Sequence, residues 1–154
     1  MKKVFLMLAV AGLFIFTACG QSAKNVPNQV KSSFAKKFPD ATKVKWDQED
    51  ENVWEAEFKL ANQDYSANYD NNGVWKETEY AIKVVELPSA IKDKLNADFA
   101  DYKVKIAEIS ETPEAKVYEL IIKNKESKME VVFDTYGKLI KKEKFGEEDE
   151  EDND

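Results

Sequence analysis

Residues Val53–Trp75 read V-W-E-A-E-F-K-L, then A-N-Q, then D-Y-S-A-N-Y-D-N-N-G-V-W. The chain repeats this pattern 64 positions later, where Val117–Leu139 read V-Y-E-L-I-I-K-N, K-E-S, K-M-E-V-V-F-D-T-Y-G-K-L. Trp54 falls over Tyr118, Phe58 over Ile122, Tyr69 over Phe133 and Gly73 over Gly137, without a gap. Self-similarity at a fixed period marks a repeated structural unit. Within each copy large apolar residues alternate with polar ones, which is strand period. Trp54, Ala56, Phe58 and Leu60 take one side, Glu55, Glu57 and Lys59 the other. A sheet with one buried and one solvated face follows.

Working outward, Val26-Pro27 opens a stripe at Val30, Phe34 and Phe38, and Leu87-Pro88 opens another at Ile91, Leu95 and Phe99. Proline suits the first helical turn, and spacings of four make one apolar side of a short helix. Pro39 ends the first helix at Phe38. Short extended segments follow at 43–47 and 103–109, and Asn72-Gly73 turns the chain into a fourth strand at about 74–82, mirrored at 138–144. Each copy is helix, strand, strand, strand, strand. At about 60 residues neither buries enough surface to stand comfortably alone. The expected fold is α+β: two tandem repeats, 26–82 and 87–145, in one antiparallel sheet with both helices on one face.

The ends read differently. Lys2 and Lys3, the apolar run Val4–Phe16 and Thr17-Ala18-Cys19-Gly20 form a signal peptide over 1–18, too short to span a bilayer permanently. Its ending resembles a bacterial lipobox, with Phe16 where leucine is usual, so Cys19 is the expected lipidation site. Residues 19–25 are the lipidated cysteine and its tether. Cys19 is the only cysteine, so the mature chain has no internal disulfide and its stability must come from packing. Residues 146–154 form an acidic tail expected to be disordered.

Composition excludes several chemistries. The net charge is −7, all 23 basic residues are lysine, and there is no histidine. Without arginine, an acidic chain is a poor nucleic-acid reader. Without histidine, Ser-His-Asp and Cys-His machinery and conventional zinc sites are out. Asn68-x-Asp70-x-Asn72-Gly73-x5-Glu79 has the spacing of a calcium loop. Its flanks have strand period and Lys76 would sit among the ligands, so a plain β-turn is the better reading. Glu55 and Glu57 share a strand face, but they alternate with packing residues and read as a solvated face rather than an acid–base pair. No metal, cofactor or catalytic residue is expected.

With helices opening at Val26-Pro27 and Leu87-Pro88, F-P-D-A-T-K-V-K-W at 38–46, and the closing Y-D-N-N-G-V-W and F-D-T-Y-G-K-L, the chain resembles the PepSY-like, β-lactamase-inhibitor-like family of periplasmic proteins over about residues 26–145. The resemblance implies a curved sheet whose helix-free, concave face grips a protein or peptide, and it supplies no catalytic motif. The expected protein is a non-enzymatic lipoprotein in the envelope of a Gram-negative bacterium. It is anchored through Cys19, with the outer membrane facing the periplasm as the expected site and surface exposure left open. An inhibitor of a peptidase or other hydrolase, or a structural or stress-response lipoprotein, are the alternatives. On the open face Trp75 is either a binding anchor or edge packing. Glu55, Glu57, Ile121 and Val132 complete the expected partner-binding face, the last two because the copies differ there.

Overall fold

The computed structural model describes residues 25–145. The signal-like run, Cys19, most of its tether and the acidic tail lie outside the described residues. Helix α1 spans Asn28–Lys37, followed by strands β1 (Thr42–Asp50), β2 (Val53–Leu60), β3 (Gln63–Asp70) and β4 (Trp75–Ala81). A 3-10 turn at Val84–Glu86 leads to α2 (Ser89–Asp98) and strands β5 (Lys103–Glu111), β6 (Lys116–Lys123), β7 (Lys128–Asp134) and β8 (Leu139–Lys144). The eight strands make one open antiparallel sheet in sequence order, β1 to β8. Among the described residues no helix is long and apolar enough to cross a membrane.

Pro27 and Pro88 immediately precede the helices, and each helix closes with a phenylalanine N–H on the carbonyl four residues back, Phe38 to Phe34 and Phe99 to Leu95. Lys36 and Lys37 complement the carbonyl end of α1. Both helices lie on the same side of the sheet. That side can be followed across the strands: Phe58 opposite Tyr65, the Tyr65 ring 4.8 Å from that of Tyr80, Tyr80 opposite Ile109, and Ile109 opposite Tyr118.

Val30 and Phe34 of α1 pack on Trp54, Ala56, Phe58, Ala67 and Tyr69; Ile91 of α2 and Phe99 at its end pack on Ala107, Leu120, Ile122, Met129, Val131 and Phe133. Fully burying one large apolar side chain is worth about 1.5–3 kcal/mol. The expected core aromatics are therefore where the strand phase puts them, with Trp46, Tyr65 and Tyr118 packed at the margins.

The β3–β4 and β7–β8 turns share one construction. Asp70 Oδ1 accepts from the N–H groups of Asn72 and Val74, and Asp134 Oδ1 accepts from those of Tyr136 and Lys138, all at 2.9 Å. Gly73 and Gly137 take φ of +78° and +83°. Each also lies against the start of a helix. A Cβ on Gly73 would come within 2.7 Å of the Gln29 carbonyl oxygen, and one on Gly137 within 2.8 Å of the Ala90 Cβ. The glycines let the turns tuck under α1 and α2. Asp70 is occupied by this turn and by Lys76 at 3.1 Å, which gives the calcium-spaced residues a structural role in the turn.

Candidate functional site

Among the described residues, the helix-free face is the surface that the topology leaves without a covering element. Its rows follow from the pairing: Glu55, Asn68 and Glu77 across β2–β4; Glu57, Ser66, Glu79 and Ser110 across β2–β5; Glu108, Glu119, Val132 and Lys141 across β5–β8; and Ile106, Ile121, Glu130 and Glu143 beside them. Eight glutamates thus stand on one face. Glu77 and Glu79 come from alternate positions of β4, and Glu119 reaches in from β6.

These carboxyls crowd one another. Glu77, Glu79 and Glu119 each offer an oxygen within 4.8 Å of the others. Burial, reinforced by Glu77, Glu119, Glu108 and Glu55, pushes the Glu79 carboxyl up to about 8. Burial, then Glu130, Glu77 and Glu108, raises Glu119 to about 7 against the pull of Lys141. Glu55 also rises to about 7, through burial first and then Glu49 and Glu57, with the Ser66 hydroxyl acting in the opposite sense. Burial raises Glu77 and Glu108 as well. At Glu77 the Ser110 hydroxyl, donating to Oε1 at 2.5 Å, opposes that rise. Lys141 bridges Glu130 at 2.5 Å and Glu143 at 2.8 Å.

Chemically, the centre of the face holds protons near neutral pH because desolvated like charges cannot all ionise together. Three oxygens within 4.8 Å also match the spread around one hard cation, whose oxygen ligands sit at about 2.4 Å. The side-chain amide oxygen of Asn68, between Glu55 and Glu77 in register, is buried without a hydrogen-bond partner among the described residues.

The expected site residues divide into three groups. Glu55 and Glu57 stand on the helix-free face, opposite Asn68 and Ser66. The expectation of a freely solvated strand is corrected there, since Ser66 is only 1% exposed and Glu55 is largely desolvated. Ile121 and Val132 are on this face too, but they are 4% and 0% exposed. Long neighbours flank them in register, Glu130 beside Ile121, and Glu119 and Lys141 beside Val132. They form the floor under the carboxyls and are not exposed anchors.

Trp75 is on the other side. Strict alternation from Glu77 would place it on the open face, but the ladder skips Lys76, so that Asn68 pairs with Glu77 and Tyr69 with Trp75. The bulge turns the indole toward α1, where Lys37 Nζ lies 3.6 Å from the ring centre and Trp75 Nε1 donates to Thr78 Oγ1 at 2.9 Å. The exposed neighbour is Val74. Cys19 lies outside the described residues. The cluster of Glu77, Glu79 and Glu119 was not foreseen; the available signal was the strand parity of acids on β4 and β6.

A family model described as putative beta-lactamase-inhibitor-like, PepSY-like matches residues 54–141. No curated protein matches the chain. Among solved structures, a BLIP-like protein from Bacteroides fragilis is 20% identical with a TM-score of 0.73, covering 83% of this chain and 93% of that one. A putative periplasmic protein from Bacteroides eggerthii is 19% identical with a TM-score of 0.71, covering 78% and 89%. A DUF2874 family protein from Bacteroides uniformis is 20% identical with a TM-score of 0.72, covering 77% and 88%. At these identities the likeness is one of fold.

Proposed function

The chain belongs to the putative beta-lactamase-inhibitor-like, PepSY-like family, and from that premise we propose that it is a non-enzymatic binding module that grips a protein or peptide on its helix-free sheet face. It is built from two repeats of one helix-plus-four-strand unit, 26–82 and 87–145. It works in the cell envelope of a Gram-negative bacterium, tethered by lipid on Cys19 to the outer membrane and facing the periplasm.

The observation that carries this reading is the state of the open face. Glu55, Glu79 and Glu119 are held against desolvation and mutual repulsion, at a cost in stability that a merely structural sheet has no need to bear. Perturbed carboxyls cluster at functional surfaces. A partner presenting lysine or arginine there relieves the repulsion. No histidine or cysteine stands among the described residues to turn those carboxyls to nucleophilic chemistry. The location is supported by the signal-like N-terminus and by the description of the Bacteroides eggerthii neighbour as a putative periplasmic protein.

Crosslinking in the native envelope, followed by identification of what is attached, tests the proposal. The paired reversal Glu79→Lys and Glu119→Lys is expected to abolish recovery of a partner that Trp75→Ala, altered on the helix side, still captures. Equal recovery by all forms removes the open face from the proposal. Inhibition of an envelope hydrolase is a second reading, favoured by the likeness in fold to a BLIP-like protein. A dose-dependent loss of hydrolase activity on adding the protein would select it.

A further inference from the structure

The two halves close differently beneath their helices. In the first, the Phe34 ring sits 5.4 Å from Phe38, 5.3 Å from Trp46 and 5.0 Å from Phe58, and these rings fill the space between α1 and the sheet. The helix caps and strand pairing place Leu95 where Phe34 stands, Ala107 where Trp46 stands and Ile122 where Phe58 stands. Three aromatic side chains are thus three smaller aliphatic ones. Beneath α2, where Leu95 and Ile122 take the places of Phe34 and Phe58, lies a groove of about 360 Å³, walled by Leu95, Phe99, Tyr102, Val104 and Ile122, with Val84 and Val85 at its rim. That is within the range of small-molecule sites, roughly 300–1,000 Å³.

The rim is specific in its charge. Val85 is 76% exposed, an apolar residue left in water beside an apolar groove. Its carbonyl accepts from Lys92 Nζ at 2.6 Å, which holds the ammonium over the groove and leaves two of its three donors for another acceptor. No carboxylate of the described residues bridges Lys92. Asn96, one helical turn further along α2, lines the same mouth. Apolar walls under an anchored cation, with Lys142 Nζ a further 5.0 Å from the centre of the Phe99 ring, complement a molecule with an apolar body and an anionic head.

We infer that the α2 groove binds an apolar carboxylate, with its chain against Leu95, Phe99 and Ile122 and its head group on Lys92. The site is on the helix-covered side, so it is independent of the partner-binding face.

Titration of isotope-labelled protein with decanoate, decan-1-ol and decylammonium tests it, read at the methyl groups of Val84, Val85, Leu95, Val104 and Ile122. Decanoate is expected to shift these methyls saturably below its micelle-forming concentration, and decylammonium at least tenfold more weakly. Lys92→Gln is expected to weaken decanoate at least tenfold and leave decan-1-ol unchanged. Leu95→Phe, which installs the residue of the first half, is expected to remove both. If that variant misfolds, the Lys92→Gln contrast still decides. The inference fails if decanoate leaves the groove methyls unmoved, if decylammonium binds as tightly, or if Lys92→Gln changes nothing. It also fails if the shifts follow protein concentration and a rise in mass, which would mean that a second copy fills the groove.

Discussion

Beneath α1 the sheet is closed mainly by rings and beneath α2 mainly by aliphatic chains, although the two halves share strand order, helix caps and turns. Phe34 is 6% exposed and meets four other rings, whereas Leu95, its counterpart, is only partly buried at the edge of a groove. The same frame therefore tolerates two packings. One spends its volume on interlocked aromatic edges, and the other leaves part of the volume open. The difference teaches that turns and caps fix this fold more tightly than the identity of the side chains between the layers.

The sharpest way to break the comparison is to truncate both counterparts. Phe34→Ala is expected to cost about 3–5 kcal/mol, because the cavity it leaves is enclosed by rings that cannot collapse into it. Leu95→Ala should cost about 2 kcal/mol, at the low end for a core leucine, because its site already opens to solvent. Equal losses in denaturant unfolding would show that the two cores are equally closed.

A smaller effect is expected at a single oxygen. Tyr69 is fully buried and its hydroxyl has no hydrogen-bond partner among the described residues, while the counterpart in the second half is Phe133. Burial drives the Tyr69 phenol well above its usual range. Tyr69→Phe removes an unsatisfied polar group and should stabilise the protein by about 1 kcal/mol. A loss of stability would mean that the hydroxyl is satisfied.

A third contrast lies in the charge of the open face. Glu55, Glu79 and Glu119 have folded-state values of about 7, 8 and 7, above an ordinary carboxyl at 4.5. Between about 4.5 and 8 the folded state holds more protons than the unfolded one, so stability is greatest at the acid end and falls as pH rises through that window. Melting temperatures measured from pH 5 to pH 8 should decline, by about ten degrees or more. Glu79→Gln should flatten the upper part of the decline, and an unchanged slope would place the repulsion elsewhere.

Much of the architecture is legible in residue order. Period-two alternation at Trp54–Leu60, prolines before both helices and glycine at 73 and 137 together specify strands, helix starts and turns, because each rests on local backbone sterics. The open face was harder to read. One inserted residue, Lys76, reverses the side that Trp75 takes, and Ile140 is the equivalent extra residue between Val132–Lys141 and Phe133–Leu139. Nothing local in the sequence announces a bulge of this kind. The carboxyl cluster joins residues on β4 and β6 across an intervening strand. Its members are ordinary surface glutamates until the register brings them together.

The bulges and charges on the outer strands have a further consequence. An open sheet ends in two rows of unpaired peptide groups, a standing invitation to edge-to-edge association. Here β1 breaks its ladder between Thr42 and Lys45 and again between Gln48 and Asp50, and β8 reads L-I-K-K-E-K. A foreign strand adding to β1 must match an irregular spacing, and one adding to β8 must desolvate Lys141, Lys142 and Lys144. The borders are thereby defended against fibre growth.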